Sequence, residues 1–136
     1  MALFYLDASA LAKLVRSEPQ SAALRTYLDG AEIVSSELVL TEIPRAIRRA
    51  AASGAMPVDR LLKRAGELLD AIGLLPMERD TLIAAGMLPE PALRSLDAIH
   101  VATAVSAAPL AGFVTYDERQ GAAARLCGLR TVAPAG

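Results

Sequence analysis

The sequence predicts a single α/β domain built on a central, mainly parallel sheet flanked by helices. Short apolar segments alternate with helical patterns along the whole chain of 136 residues. Hydrophobic residues make up 54% of the chain, which is enough for a substantial core. No internal repeat, low-complexity tract or linker divides the sequence. We therefore expect residues 1–136 to form one domain.

The first part of the chain predicts two strands and two helices. The helix that begins near Ser17 has Pro19 in its first turn, where the missing N–H costs nothing. Gly30 ends that helix. The expected elements are a strand at 3–6, a helix at 8–15, a helix from 17 to 30 and a weak strand at 32–34.

The next helix carries Glu42, and its start is ambiguous. Ser35 or Ser36 is expected to cap it, because a serine side chain accepts a hydrogen bond from a free N–H of the first turn. Pro44 lies inside the pattern, so it either kinks the helix or marks its true first turn. The sequence leaves both alternatives open.

The second half continues the alternation of helices and strands. Apolar residues at helical spacing make the segment 57–72 the clearest amphipathic helix of the chain. A helix at 96–107, capped by Ser95, is apolar on nearly every side and is expected to be buried. The other expected elements are a strand at 73–76, a helix at 79–87, a strand at 113–115, a helix at 118–127 and a strand at 129–132.

Four acidic residues, far apart in sequence, fall where a predicted strand or loop meets a helix. Asp7 and Asp117 follow predicted strands, whereas Glu42 and Asp97 lie in helical patterns that are otherwise mostly apolar or basic. A carboxylate in apolar surroundings is costly unless a cation holds it. Ligands of parallel sheets bind outside the carboxyl ends of the strands, where these residues would converge. A divalent metal bound by all four is therefore the leading hypothesis.

The types of residue indicate which metal and which reaction. Oxygen donors without cysteine or clustered histidine favour Mg²⁺ or Mn²⁺ over Zn²⁺. Two such ions about 4 Å apart can stabilise the attacking and leaving oxygens of a phosphodiester displacement. The pattern is therefore typical of metal-dependent phosphodiester hydrolysis.

Each acidic residue also has a purely structural interpretation. Asp7 and Asp117 are suitable N-caps for the helices that follow them. Asp97 in a first turn complements the helix dipole. Glu42 could pair with Arg45, three residues away at the spacing of a helical ion pair, or with another basic residue. The spacing alone does not decide between these interpretations and a metal site.

Charge and composition limit the class of protein. The formal net charge of −1 does not by itself indicate a nucleic-acid-binding protein. The single cysteine, Cys127, excludes an internal disulfide and a cysteine-based zinc site. No signal-peptide pattern and no run of about 20 apolar residues is present. We therefore expect a soluble, cytoplasmic protein with no membrane partner.

Four short motifs, in order along the chain, resemble those of the PIN-domain family, and within it the VapC-type toxins. They are Tyr5-Leu6-Asp7-Ala8-Ser9, the segment 35–42 followed by Arg45, the segment 96–104, and Val114-Thr115-Tyr116-Asp117. The resemblance covers the whole chain, and the segment 96–104, with Asp97 and His100, is its most specific part.

This resemblance implies a PIN-like fold and a ribonuclease that uses Mg²⁺ or Mn²⁺, is inhibited by a cognate antitoxin and is usually a homodimer. Its catalytic, metal-binding residues would be Asp7, Glu42, Asp97 and Asp117. Ser9 and Thr115 would support the site through their hydroxyl groups.

Basic residues and a histidine lie near the acidic motifs. Arg45, Arg48 and Arg49 form a stripe that could bind RNA phosphates, or could be a solvated helix face or a contact with the antitoxin. His100 shares a helical face with Asp97, so it could orient a carboxylate, contact phosphate or transfer a proton. The structural interpretation, a core histidine hydrogen-bonded to a backbone carbonyl, is the one that we favour. The competing functional hypotheses are an inactive PIN-like RNA- or protein-binding module and an unrelated metal-binding receiver domain.

Overall fold

The computed structural model describes residues 1–54 and 56–136, and it places a five-stranded sheet between two layers of helices. The strands are β1 (Leu3–Leu6), β2 (Glu32–Ser36), β3 (Gly73–Leu75), β4 (Gly112–Val114) and β5 (Thr131–Val132). The helices are α1 (Ala8–Val15), α2 (Ser21–Tyr27), α3 (Val39–Ala52), α4 (Val58–Ala71), α5 (Arg79–Gly86), α6 (Ser95–Ala107) and α7 (Glu118–Leu126). The predicted α/β class is confirmed.

The sheet has the strand order β3-β2-β1-β4-β5, and every neighbouring pair is parallel. All five strands therefore end at the same edge of the sheet, which is where parallel α/β proteins bind ligands.

In the described part of the chain, no helix has both the length and the apolar character that crossing a bilayer requires.

The alternation of side chains along β1 builds the two halves of the core. Phe4 and Leu6 are buried on one face of the sheet, against α1, α2, α3 and α4. Tyr5 is buried on the opposite face, where it packs with Phe113 against apolar residues of α6 and α7. The central strand is thus covered on both faces, as its continuous apolar sequence predicts.

The pairing of β1 with β4 sets the position of the residues that follow them. Leu6 lies opposite Val114, and the backbone N–H of Asp7 donates to the Val114 carbonyl at 3.3 Å. Asp7 and Thr115 therefore leave the sheet side by side at its carboxyl edge.

Several predicted helix starts differ from those in the structure. Helix α2 begins at Ser21, so Pro19 precedes it and does not lie in its first turn. Ser95 is the first residue of α6, so it is not the N-cap, which is Arg94. The serines expected to cap α3 lie before its N-cap, Leu38; Ser36 accepts a hydrogen bond from the Leu38 N–H at 3.1 Å. In each case the pattern located the helix but not its first residue.

Pro44 lies inside α3, so the alternative that it marks the first turn is wrong. The first turn instead contains Glu42, whose N–H donates to the Leu38 carbonyl at 3.1 Å. Pro44 supplies no N–H, so the helix lacks one main-chain hydrogen bond in the turn after Glu42.

Candidate active site

Asp7 lies immediately after β1 and is almost fully buried, with 1% of its surface exposed. It is the N-cap of α1, because its Oδ1 accepts from the Ala10 N–H at 2.9 Å. The Ser9 hydroxyl donates to the same oxygen at 2.7 Å, and the Thr115 hydroxyl donates to Oδ2 at 2.5 Å. The structural interpretation of Asp7 as a helix cap is therefore correct, and Ser9 and Thr115 both contact the carboxylate.

Burial raises the pKa of Asp7, because a charged carboxylate loses its hydration there. The hydrogen bonds from Thr115, Ser9 and the Ala10 N–H act in the opposite direction and offset part of that rise. Ser9 and Thr115 thus help to keep a buried carboxylate ionised.

Replacement of Thr115 by Val is expected to destabilise the protein by about 1–3 kcal/mol, because it removes the donor to a buried carboxylate oxygen. The hydroxyl also accepts from the Asp117 N–H at 3.0 Å, so the partly buried Asp117 N–H loses its partner as well. Urea unfolding of the variant tests this, with Thr26→Val at an exposed position of α2 as the control. An equal free energy of unfolding for both variants would contradict the expectation.

Glu42 points toward α6 and not toward the arginine on its own helix. Its Oε1 lies 2.6 Å from His100 Nε2, and 17% of its side chain is exposed. In the described part of the chain, Glu42 forms no ion pair with Arg45. The proposed i,i+3 pair with Arg45 is therefore wrong.

His100 is buried, as expected, but its partners are side chains and not a backbone carbonyl. Nδ1 lies 2.7 Å from the Tyr5 hydroxyl, and Nε2 contacts Glu42. The expectation of a backbone partner is wrong. Both side-chain partners come from distant parts of the chain, so the local sequence pattern could not identify them. The helical spacing that suggested a shared face with Asp97 does not reveal either contact.

Asp97 and Asp117 lie on neighbouring helices at the same edge of the sheet. Asp97 is in the first turn of α6, and Asp117 is the N-cap of α7, with its Oδ1 accepting from the Arg119 and Gln120 N–H groups. The Gln120 side chain donates to the Asp97 carbonyl at 3.2 Å and so connects the two helices.

A cleft of about 420 Å³ is lined by both carboxylates, Asp97 and Asp117. Arg94 and Arg119, which the sequence analysis did not single out, line the same cleft. Both arginines are exposed. The cleft therefore combines negative charge with two guanidinium groups that are accessible from solvent.

Asp97 interacts electrostatically with the other three acidic residues. Burial raises the pKa of Asp97, and the negative charge of Asp117 raises it further, with smaller contributions from Asp7 and Glu42. His100 acts in the opposite direction. Asp97 therefore experiences the other three carboxylates, as expected for groups that meet at one edge of the sheet.

The donor set fits a hard divalent cation, which would relieve this repulsion. In residues 1–54 and 56–136, the Asp97 carboxylate, Glu42 Oε2 and Asp117 Oδ2 make no hydrogen bond. The same part of the chain contains no three His, Cys, Asp or Glu side chains already arranged to hold a metal ion. Binding would therefore require acidic side chains to turn toward a common point.

Arg45, Arg48 and Arg49 lie on the exposed side of α3, whose buried side consists of Val39, Ile43 and Ile47. Ion pairs of these arginines are absent from the part of the chain that the structure describes. The structure thus places the stripe in solvent and does not bring it into contact with the acidic residues.

Comparison with known proteins gives consistent matches over nearly the whole chain. A family model described as the PIN domain matches residues 4–126. Ribonuclease VapC35 of Mycobacterium tuberculosis is 44% identical over 138 aligned residues, which cover 97% of both chains. Ribonuclease VapC46 of the same species is 40% identical, with 98% of this chain and 99% of the relative covered.

Two solved structures share the fold at low sequence identity. The VapBC2 structure from Rickettsia felis, bound to a DNA fragment from its promoter, has a TM-score of 0.73 and 13% identity and covers 97% of this chain and 98% of that one. Mycobacterium tuberculosis VapC20, a sarcin-ricin loop cleaving toxin, has a TM-score of 0.72 and 16% identity, with 96% and 99% covered.

Proposed function

The chain belongs to the PIN-domain family, and we propose that it is an endoribonuclease of the VapC type, the toxin of a toxin–antitoxin pair. The 44% identity to ribonuclease VapC35, extending over 97% of both chains, carries this proposal. The arrangement of four acidic residues at the carboxyl edge of a parallel sheet supports it. Such carboxylates can hold a divalent metal, and the metal supplies the positive charge that hydrolysis of a phosphodiester needs at the phosphate.

Mg²⁺ is the proposed cofactor, and Mn²⁺ is expected to substitute for it. Asp7, Glu42, Asp97 and Asp117 would hold the metal, since they supply the oxygen donors that these ions prefer. When bound, the metal would activate the attacking water and stabilise charge on the phosphate and the leaving oxygen.

The other residues of the site prepare these carboxylates. Ser9 and Thr115 hold both oxygens of Asp7, so its orientation is fixed before metal binds. Gln120 links the first turn of α6 to the N-terminus of α7 and thereby fixes the spacing of Asp97 and Asp117. The fold thus sets the backbone positions and the orientation of Asp7, and rotation of the Asp97 and Asp117 side chains would bring their free oxygens to the metal.

Arg94 and Arg119 are proposed to bind RNA phosphates beside the carboxylates, since a guanidinium group can bond two phosphate oxygens. The more distant Arg45, Arg48 and Arg49 are proposed to extend this path along α3.

The double replacement Arg94→Ala/Arg119→Ala is expected to weaken RNA binding and to reduce its salt dependence. Log affinity falls linearly with log salt concentration, and each lost phosphate contact reduces the steepness of that fall by about 0.7 for single-stranded RNA. Fluorescence anisotropy with labelled RNA in EDTA measures both quantities without cleavage. The control is Arg60→Ala/Lys63→Ala, which removes two exposed charges from α4. An equal loss in both double variants would indicate a general charge effect and exclude a site in the cleft.

An antitoxin and a second copy of the chain are the proposed protein partners, and the cytoplasm is the proposed location. The VapBC2 structure is a fold neighbour that supports an antitoxin partner. Ile83 of α5 and Met87, the residue that follows this helix, are 57% and 80% exposed, and together they give the dimer a candidate apolar interface. Light scattering of the purified chain tests the dimer.

Cleavage of total RNA by the purified, antitoxin-free protein tests the proposed function. We expect discrete products with Mg²⁺ or Mn²⁺ and none with EDTA. Absence of cleavage with either metal, from protein shown to be folded, would favour the alternative of an inactive PIN-like RNA- or protein-binding module.

A further inference from the structure

A buried chain of three side chains connects the centre of the sheet to Glu42. The Tyr5 hydroxyl lies 2.7 Å from His100 Nδ1, and His100 Nε2 lies 2.6 Å from Glu42 Oε1. Tyr5 and His100 are 0% and 1% exposed, so the bond between them is screened from water, whereas the bond to Glu42 is partly buried. Glu42 thus has one carboxylate oxygen held from inside the protein.

The direction of these hydrogen bonds follows from the groups involved. An ionised glutamate only accepts, so Nε2 of His100 donates to Oε1 of Glu42. A neutral imidazole then has an acceptor at Nδ1, which matches the single proton of the Tyr5 hydroxyl. In the neutral form, the Tyr5 hydroxyl thus favours the tautomer that donates to Glu42, and in the imidazolium form Nε2 donates to Glu42 as well.

The Tyr5 ring is itself held firmly by the sheet. It stacks on Phe113, its partner across β1 and β4, with ring centroids 5.4 Å apart and planes 6° apart. It also meets the His100 ring edge-on at 5.8 Å. Since β1 is the central strand, the Tyr5 hydroxyl, from which the three hydrogen-bonded side chains begin, has little freedom to move.

We propose that Tyr5 and His100 are positioning residues that orient the Glu42 carboxylate for metal binding. This inference rests on the proposed function, because it takes Glu42 as a metal ligand. In the described residues, Glu42 Oε2 makes no hydrogen bond and is available for the metal. Groups that orient a ligand in this way are typically worth about 10–100-fold in metal affinity or activity.

The orientation has a particular value for Glu42. The carboxylate is carried on a long side chain from α3, in which Pro44, two residues after Glu42, removes a main-chain hydrogen bond. The bond to His100 of α6 fixes that carboxylate relative to the helix that also carries Asp97. Loss of His100 would therefore separate Glu42 from the other ligands without removing a ligand.

The test compares Tyr5→Phe, His100→Gln, His100→Leu and Glu42→Gln with the wild type. Calorimetry measures Mn²⁺ affinity of the metal-free proteins, and RNA cleavage gives the Mn²⁺ concentration for half-maximal rate. We expect Mn²⁺ affinity to fall about 10–100-fold in His100→Leu and several-fold in Tyr5→Phe. His100→Gln, whose amide can still donate to Glu42, is expected to recover part of the loss. Tyr27→Phe, at a tyrosine that is 38% exposed, is the matched control.

Each outcome separates this inference from the proposed function. If Glu42→Gln lost Mn²⁺ binding and cleavage while Tyr5→Phe and His100→Leu kept wild-type affinity, the positioning role would be wrong and the ribonuclease site would stand. If Glu42→Gln itself behaved as wild type, both the metal site and this inference would be overturned. Should His100→Leu fail to fold, Tyr5→Phe decides, because it keeps the ring stack and removes only the hydroxyl.

Discussion

Replacement of Asp97 by Asn is expected to reduce RNA cleavage at least about 100-fold, since even residues that only orient metal ligands are worth about 10–100-fold. Activity falls because the substitution removes a negatively charged metal ligand. The fold should be kept, because within the described residues the Asp97 carboxylate makes no hydrogen bond. Its backbone carbonyl still accepts from Gln120, so the connection between α6 and α7 is retained. Initial rates with saturating Mg²⁺ measure the effect.

Asp80→Asn is the matched control for this substitution. Asp80 is also an acidic residue in the first turn of a helix, α5, but it is exposed and does not line the cleft that Asp97 and Asp117 share. We expect it to cleave RNA at the wild-type rate, and both variants to keep the wild-type circular dichroism spectrum. Full activity of a folded Asp97→Asn variant would show that the proposed site is wrong.

The order and type of the elements could be predicted because each depends on local pattern. The strand at Leu3–Leu6 and the helix at Ala8–Val15 agree with the sequence prediction to the residue. The strand order could not be predicted, since no local pattern in the sequence indicates that β1 lies between β2 and β4. The register of Leu6 opposite Val114, which joins Asp7 to Thr115, comes from that order.

Helix starts were less predictable where two residues could each begin the helix. Pro19 suits a first turn, yet α2 begins two residues later, after the hydrogen bond between the Glu18 N–H and Ser21 Oγ has formed a turn. Ser95 suits an N-cap, yet it became the first residue of α6. A residue that suits a cap thus locates the helix start only to within one or two residues.

At the candidate site, the structural and functional interpretations of an acidic residue proved compatible. Asp7 and Asp117 are both N-caps, and each cap uses Oδ1. An ionised carboxylate has about four lone-pair sites, so capping a helix does not prevent metal binding, even at Asp7, whose Oδ2 already accepts from Thr115. The contact of Glu42 with His100, 58 residues apart, could not be predicted because no periodicity connects α3 to α6.

The receiver-domain hypothesis no longer competes with the proposed function. The family match over residues 4–126 places the chain among PIN domains. The alternative of an inactive binding module is compatible with membership of that family. It requires, however, the loss of a carboxylate from the site. Asp97 and Asp117 line one cleft, and Asp97 also experiences the charges of Asp7 and Glu42. The full acidic set therefore favours catalysis.

The metal-free protein is expected to lose stability as pH rises from about 4, and Mn²⁺ is expected to restore it. Burial raises the pKa values of Asp7 and Asp97 above the ordinary value of 3.8. The folded state then binds more protons than the unfolded state between that value and the raised ones. These two groups therefore contribute stability that is fully present below their ordinary pKa and is lost as pH rises through the raised values.

Thermal melting of wild type and Asp97→Asn in EDTA, from pH 4 to pH 8, isolates the contribution of Asp97. The melting temperature of the variant should fall less steeply with pH, because its amide does not ionise. Equal slopes for the two proteins would contradict the assigned repulsion.

Mn²⁺ should stabilise the wild type most at high pH, where all four carboxylates are ionised and protons do not compete. At a metal concentration 100 times its dissociation constant, the gain is about 2.7 kcal/mol, or roughly 10 °C in melting temperature for a chain of this size. Asp97→Asn should show a much smaller gain at the same concentration, because the removed carboxylate no longer offsets the charge of the metal. A melting temperature that stays constant across a Mn²⁺ titration of the wild type would exclude metal binding by the folded site, whatever the protein does to RNA.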